Sequence, residues 1–300
     1  MHRSVRSALR LGWLGFPALL ALAVLVLSPG CETSFDPFEE TDVRFSMFGY
    51  LDLSADTQFV RVNELNTSVF TTAEIDAAVA LTHVESGRTV TLRDSAVTIR
   101  RGAGDGTIVH NFWTTTPIEP EATYRLETTA SDGSTASATF RTPAEAPVPV
   151  LDAGIIPFSP SPPRAQSITL AGVAKLADIR VRFRLSSPNT LVTISYIDKL
   201  FESSDGRLLA GFDAYGDVQD ALSGDGSAVC PSLESAEVFV AATTTDWPDF
   251  WQFDLETLVL PTTATNVVGG LGYVGGVQTF TLAWPELVGA FFLNQVDCTG

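Results

Sequence analysis

From Val43 onward the chain is chopped into short apolar runs by turn signals about every 8–12 residues, with no sustained helical period. That rhythm is the strongest constraint on the fold, because period-2 runs of this length bury one face only when a second sheet covers it. Phe45–Leu53 and Gln58–Leu65 are two such runs around Ser54-Ala55-Asp56-Thr57. Ala78–Val84 and Thr89–Leu92 flank Glu85-Ser86-Gly87-Arg88, and Thr107–Thr114 and Ser134–Arg141 follow. With 45% hydrophobic and 18% charged residues, 300 residues are enough for two cores.

Pro143 and six further prolines, the last Pro163, exclude a helix interior or central strand and predict an extended joint over 144–166. The expected organisation is therefore a leader over 1–30, an acidic tether over 31–42, a first sandwich over 43–143, the linker, and a second β-rich domain over 167–300. In the second half Ser167–Val173, Ile179–Leu185, Leu191–Ile197, Glu234–Thr243 and Phe280–Trp284 read as strands, and Asp246–Glu256 as one short helix. The Ile179–Leu185 run alternates Ile179, Val181, Phe183 and Leu185 with Arg180, Arg182 and Arg184. One face is apolar and the other cationic, which reads either as an exposed face paired with neighbouring carboxylates or as a local anion or partner site.

The first thirty residues read as an address. Arg3, Arg6 and Arg10 precede an uncharged, mostly apolar Leu11–Leu27, which ends at Ser28-Pro29-Gly30-Cys31. Pro17 and Pro29 argue against a transmembrane span. The tether carries Glu32, Asp36, Glu39, Glu40 and Asp42. If Cys31 carries lipid, Cys230 and Cys298 remain as a pair in an oxidising compartment; a bridge would stabilise the second domain by roughly 4 kcal/mol, and two buried free thiols are the alternative.

Composition and motifs narrow the chemistry. A formal charge of −17 argues against nucleic-acid partners. Three His and three Cys are too few for a zinc cluster or an iron–sulfur centre, and no cofactor is expected. Gly270-Leu271-Gly272-Tyr273-Val274-Gly275 matches G-x-G-x-x-G, but strand-like Val277–Ala283 follows where a nucleotide site needs a helix. A tight loop or bulge is expected instead. The Asp-Gly pairs at Asp105, Asp132, Asp205 and Asp225 read as two-residue hairpin turns with both residues at positive φ. His83 and His110 read as structural, and no catalytic motif occurs, so no catalytic residue is assigned. Trp247-Pro248-Asp249-Phe250-Trp251 is aromatic-dense; Trp247, Phe250 and Trp251 are candidates for ligand or partner contact, against core packing as the alternative.

Ile118-Glu119-Pro120-Glu121-Ala122-Thr123-Tyr124-Arg125-Leu126 resembles the approach to the penultimate strand of immunoglobulin-like and fibronectin-III-like domains, which implies that Tyr124 closes a corner by bonding to the upstream backbone. The end of the leader resembles a bacterial lipobox with Cys31 as the lipidated residue. Acidic residues after such a Cys resemble surface-export signals of some Gram-negative lipoproteins. Together with Phe45–Asp52, Asp56–Val62 and Thr265–Gly275, the order resembles a family of Bacteroidetes-type envelope lipoproteins of unknown function, often encoded beside TonB-dependent transporters.

The expectation is thus an all-β protein: an immunoglobulin-like β-sandwich followed by a second β-rich domain with one short helix. It would be held at the outer membrane by lipid, facing periplasm or cell surface. Its role would be a non-catalytic binding or scaffolding partner in an envelope complex, with an outer-membrane transporter as the partner that the resemblance implies. A surface glycan- or ligand-binding lipoprotein is the alternative, and an envelope hydrolase the third reading.

Overall fold

The computed structural model describes residues 43–65, 74–100, 106–155, 165–223, 230–253 and 263–295. Met1–Thr41 and Asp42–Gly300 form separate units, and every described residue belongs to the second. The leader, the tether, Cys31, Cys298, Asp105 and Asp225 lie outside the described residues.

The first sandwich is built from β1 (Phe45–Asp52), β2 (Gln58–Glu64), β3 (Ala78–His83), β4 (Arg88–Thr91), β5 (Arg93–Ile99), β6 (Thr107–Thr114), β7 (Thr123–Thr129) and β8 (Thr135–Arg141). One sheet runs β1-β2-β6-β5 and the other β8-β7-β3-β4. This division of strands is the immunoglobulin-like arrangement. Phe45, Met47, Leu51, Val60, Val62 and Phe112 of the first sheet meet Val79, Leu81, Tyr124, Leu126 and Phe140 of the second in one core. Tyr124 is buried, and its hydroxyl accepts the Glu119 backbone N–H at 3.0 Å, which is the expected corner.

The second half contributes β9 (Val150–Asp152), β10 (Gln166–Leu170), β11 (Lys175–Ser187), β12 (Asn189–Ser195), β13 (Leu200–Glu202), β14 (Leu208–Phe212), β15 (Ser232–Thr243), β16 (Val267–Val268) and β17 (Gly270–Ala283). The sheet β13-β14-β10-β9 faces β12-β11-β15-β17 across a second core. Ile179, Val181, Phe183 and Leu185 are fully buried in it, as the alternation requires. On the opposite face Arg182 reaches Glu237 at 3.2 Å, and Arg180 reaches Asp178 at 3.4 Å while lying over Phe239.

The two halves share a sheet. β17 pairs antiparallel with β15 through Val277–Ala283 and parallel with β1 through Gly270–Val277. One sheet of eight strands, β12-β11-β15-β17-β1-β2-β6-β5, therefore crosses both halves. Val274 lies in the first core, whereas Phe280 and Leu282, at even spacing from it, pack against the second. Both cores thus sit on the same side of this sheet. The division at 144–166 needs refinement accordingly: Val267–Val277 belongs to the first sandwich although it lies late in the chain. Part of the expected linker is also structured. Val150–Asp152 pairs with β10, and Gln278 exchanges two hydrogen bonds with the Ala146 backbone (2.7 and 3.3 Å).

Glycine makes the shared strand possible. A Cβ at Gly270 would stand 2.8 Å from the Phe45 carbonyl oxygen, and at Gly276 2.7 Å from Thr142 Cα. The glycine run packs backbone closely as expected, but inside a strand rather than in a loop. Asn266 fixes its start by accepting the Val274 N–H (3.0 Å) and donating to the Val274 carbonyl (2.6 Å).

Three local expectations change. Of the expected helix Asp246–Glu256, the described residues 246–253 hold a single 3-10 turn, Phe250–Gln252, and 254–256 lie outside the described residues. Lys175 donates to the Trp247 carbonyl at 2.6 Å and pairs with Asp249 at 2.8 Å, so tertiary partners replace a helical ladder. Helices form instead at Ala214–Leu222, where the Asp213 side chain caps the start, and at Glu286–Gln295, directly after Pro285. The two described Asp-Gly turns, at Asp132 and Asp205, have three-residue loops. Ala130 and Ser203 receive from Gly133 and Gly206, and only the glycines have positive φ, 88° and 76°. None of the described helices is long and apolar enough to cross a membrane.

Candidate binding face

Strand alternation sends Phe45, Met47 and Leu51 of β1 inward, which leaves Phe48 and Tyr50 on the outer face of the eight-stranded sheet. The register of the neighbouring strands places further aromatic and polar side chains beside them. Phe48 stands between Tyr273 and Arg61, and Arg61 opposite Asn111. One step along, Tyr50 stands between Gly275 and Phe59, Phe59 opposite Trp113, and Trp113 opposite Arg93. Two parallel rows of side chains result, with rings in both and polar groups toward β6 and β5.

These rings are open. Phe48, Tyr50 and Phe59 are 51%, 47% and 51% exposed, unusual for three aromatics on adjoining positions of two strands. They line an open groove of about 470 Å³ together with Asp52, Gln58, Arg61 and Asn111. Arg61 donates its Nε–H to Asn111 Oδ1 at 3.3 Å, and the Arg93 guanidinium lies 5.2 Å from the Trp113 ring centre. Asp52 is the groove's carboxylate, but it is buried and engaged by the Ser54 N–H, the Thr279 N–H and the Thr279 hydroxyl. Gln58 closes the same turn by accepting the Asp52 N–H at 2.7 Å.

At the β17 border the face is sealed. Trp247 stands edge-on to Tyr273 (5.2 Å) and to Phe250 (6.1 Å), and Phe250 edge-on to Tyr273 (5.6 Å). Gly275 leaves room for the indole, since a Cβ there would lie 2.6 Å from Trp247 Cζ3. Burial, with the Asp246 charge adding to it, pushes the Tyr273 hydroxyl up to about 12. Of the three rings singled out in the sequence, Trp247 and Phe250 thus pack against Tyr273 and only Trp251 is largely exposed, at 49%.

Phe48, Tyr50, Phe59 and Trp113 were not candidates on sequence grounds. For the first two a signal was available: β1 carries Phe48 and Tyr50 in the phase opposite to Phe45, Met47 and Leu51, more rings than a single core needs. Cys230 is half-buried just before β15, and its expected partner Cys298 is outside the described residues.

The histidines lie in different sheets. His83 on β3 accepts the Ser86 N–H and stands edge-on to Tyr124, and His110 on β6 pairs with Asp94 at 2.9 Å. No group of three or more His, Cys, Asp or Glu with metal-holding geometry occurs among the described residues.

The fold and this face define an all-β protein with an immunoglobulin-like sandwich and an open aromatic sheet surface. No family model and no curated protein matches the chain. Among solved structures it is similar to a pullulanase from Anoxybacillus sp. LM18-11, at 8% identity and a TM-score of 0.22, over 65% of this chain and 24% of that one. It is also similar to the chicken CNTN1 FN1-FN3 domains, at 10% identity and a TM-score of 0.23, over 80% of this chain and 62% of that one. The chain spans about a quarter of the first and under two thirds of the second.

Proposed function

We propose that this chain is a lipid-anchored envelope protein that works by holding a ligand or partner on the outer face of its eight-stranded sheet, without catalysis. The observation that carries the reading is the exposure of Phe48, Tyr50 and Phe59, each about half open, over a groove with ordered polar flanks. Rings left in water on a rigid sheet cost solvation that a bound partner recovers. Strand backbone fixes their positions, so little side-chain freedom is lost on binding.

Anchoring through Cys31 at the outer membrane, and service beside a TonB-dependent transporter, rest on the sequence resemblance. The test is crosslinking in cells that produce a tagged chain, followed by mild-detergent capture. Captured material is identified by mass spectrometry and sugar composition. An envelope component retained at stoichiometric level, and lost with Tyr50→Ala plus Phe59→Ala, is the expected result. Identical recovery by the wild type and the double variant would overturn the reading.

A further inference from the structure

We infer that the two-row face takes an acidic polysaccharide, its sugar rings stacked on Phe48, Tyr50 and Phe59 and its carboxylates held by Arg61 and Arg93. The inference rests on the binding-face reading and names the ligand class of that same face.

Three features select this ligand. The rings occupy one row from β1 through β6 and the other only at its β1 end. Arg61 and Asn111 separate the Phe48 ring from the sheet's far edge, and Tyr50, Phe59 and Trp113 follow one another across three strands. Strands lie about 4.8 Å apart, so this row extends about 10 Å, a length that suits successive units of an extended chain. A sugar ring offers an apolar C–H face to an aromatic ring and a polar rim to its neighbours. A partner that alternates in this way matches a face that alternates likewise.

The second feature is the polar flank. Arg61 uses Nε–H on Asn111 and keeps its two terminal nitrogens, a planar fork suited to a carboxylate or a pair of hydroxyls. Asn111 retains its amide donors for the same rim.

Charge is the third. The chain carries 35 acidic against 18 basic residues, yet the groove's carboxylate, Asp52, is turned onto the Ser54 N–H of its own turn and onto Thr279 of β17. Among the described residues Arg61 and Arg93, like Arg100 and Arg184, have no carboxylate at ion-pair distance, whereas Arg44, Arg88, Arg125, Arg141, Arg180, Arg182 and Arg207 each have one. The face is locally positive on an acidic molecule. At physiological ionic strength charges beyond about 8 Å are largely screened, so for a ligand seated here the two arginines count chiefly against Asp52, the one carboxylate in the groove's lining.

The test is affinity electrophoresis of the full chain in mild detergent, at physiological salt, through gels containing polygalacturonate, alginate or a neutral β-glucan. Variants are Tyr50→Ala plus Phe59→Ala, and Arg61→Gln, with thermal unfolding to show that each is folded. Expected is retardation by an acidic polymer, weakened at least tenfold by the double variant and several-fold by Arg61→Gln, with little retardation by the glucan. No retardation by either acidic polymer, equal retardation by the glucan, or retardation that both variants keep would overturn the inference. If acidic polymers fail while the double variant still loses a crosslinked envelope partner, the binding face stands and its ligand is of another class. If neither responds, both fall.

Discussion

Gly272 approaches Met47 so closely that a Cβ at Gly272 would lie 2.2 Å from the Met47 carbonyl oxygen. The contact joins the last strand to the first across the parallel β1–β17 ladder, where these two residues are partners. Gly272 also has φ +105°, a conformation that L side chains rarely adopt. Gly272→Ala should therefore cost about 3 kcal/mol or more, because both the φ and the carbonyl would have to shift. Urea unfolding checks this, and a variant within about 1 kcal/mol of the parent would show that β17 does not hold this register.

Tyr124 carries a second, smaller prediction. Tyr124→Phe keeps the packing against His83 and Phe140 but leaves the Glu119 N–H without its acceptor. The expected loss is about 1–2 kcal/mol, whereas Tyr124→Ala should cost about 3–5 kcal/mol through the cavity as well. Equilibrium denaturation of the two variants separates the hydrogen bond from the ring.

These two positions show what the sequence carries and what it withholds. The corner at Tyr124 is local: its acceptor and donor are five residues apart, so spacing and turn chemistry reveal it. The inward alternation of Ile179–Leu185 is local in the same sense. The parallel pairing of β1 with β17 joins residues more than two hundred positions apart, and nothing in either segment names the other. The glycines of 269–276 announced close backbone approach without saying to what. For the same reason the aromatic face was hidden. Phe48, Tyr50, Phe59 and Trp113 are scattered over three strands, and only the register brings them into rows. Trp247, Phe250 and Trp251 drew attention because they are contiguous, and contiguity turned out to serve packing on Tyr273 for the first two.

Arg44 anchors the end of β1 to three carboxylates. It donates to Glu64 at 2.9 Å and Asp76 at 2.7 Å, and pairs with Asp132. Arg44→Met leaves Glu64, whose side chain is 9% exposed, without its cation, for a loss of about 1–3 kcal/mol. The Ser131 hydrogen bonds hold Asp76 below its ordinary 3.8, and the Ser134 bonds do the same for Asp132, with Arg44 adding to each. A depressed native value means stability that is present above the ordinary pKa and is lost as pH falls through the lowered one. Acid unfolding of Asp76→Asn should accordingly show a shallower decline below pH 3.8 than the parent, and superimposable curves would refute the linkage.

Tyr273 supplies an optical probe of the sealed border. Its native value of about 12, against an ordinary 10, comes first from burial and then from Asp246. Because the native value is raised, the neutral phenol's contribution to stability is whole below pH 10 and is lost as pH rises through about 12. Trp247→Ala removes the ring that stands edge-on to Tyr273, opens the hydroxyl to water and should bring its titration back toward 10. Ultraviolet difference titration of the parent and the variant reads this directly, with Tyr273→Phe identifying the transition that belongs to this residue. An unchanged late transition in Trp247→Ala would mean that other neighbours bury the phenol. Loss of the late transition, with the Tyr50 and Phe59 face still competent to bind, would establish that the Trp247 cluster seals the border of the face without contributing to its contacts.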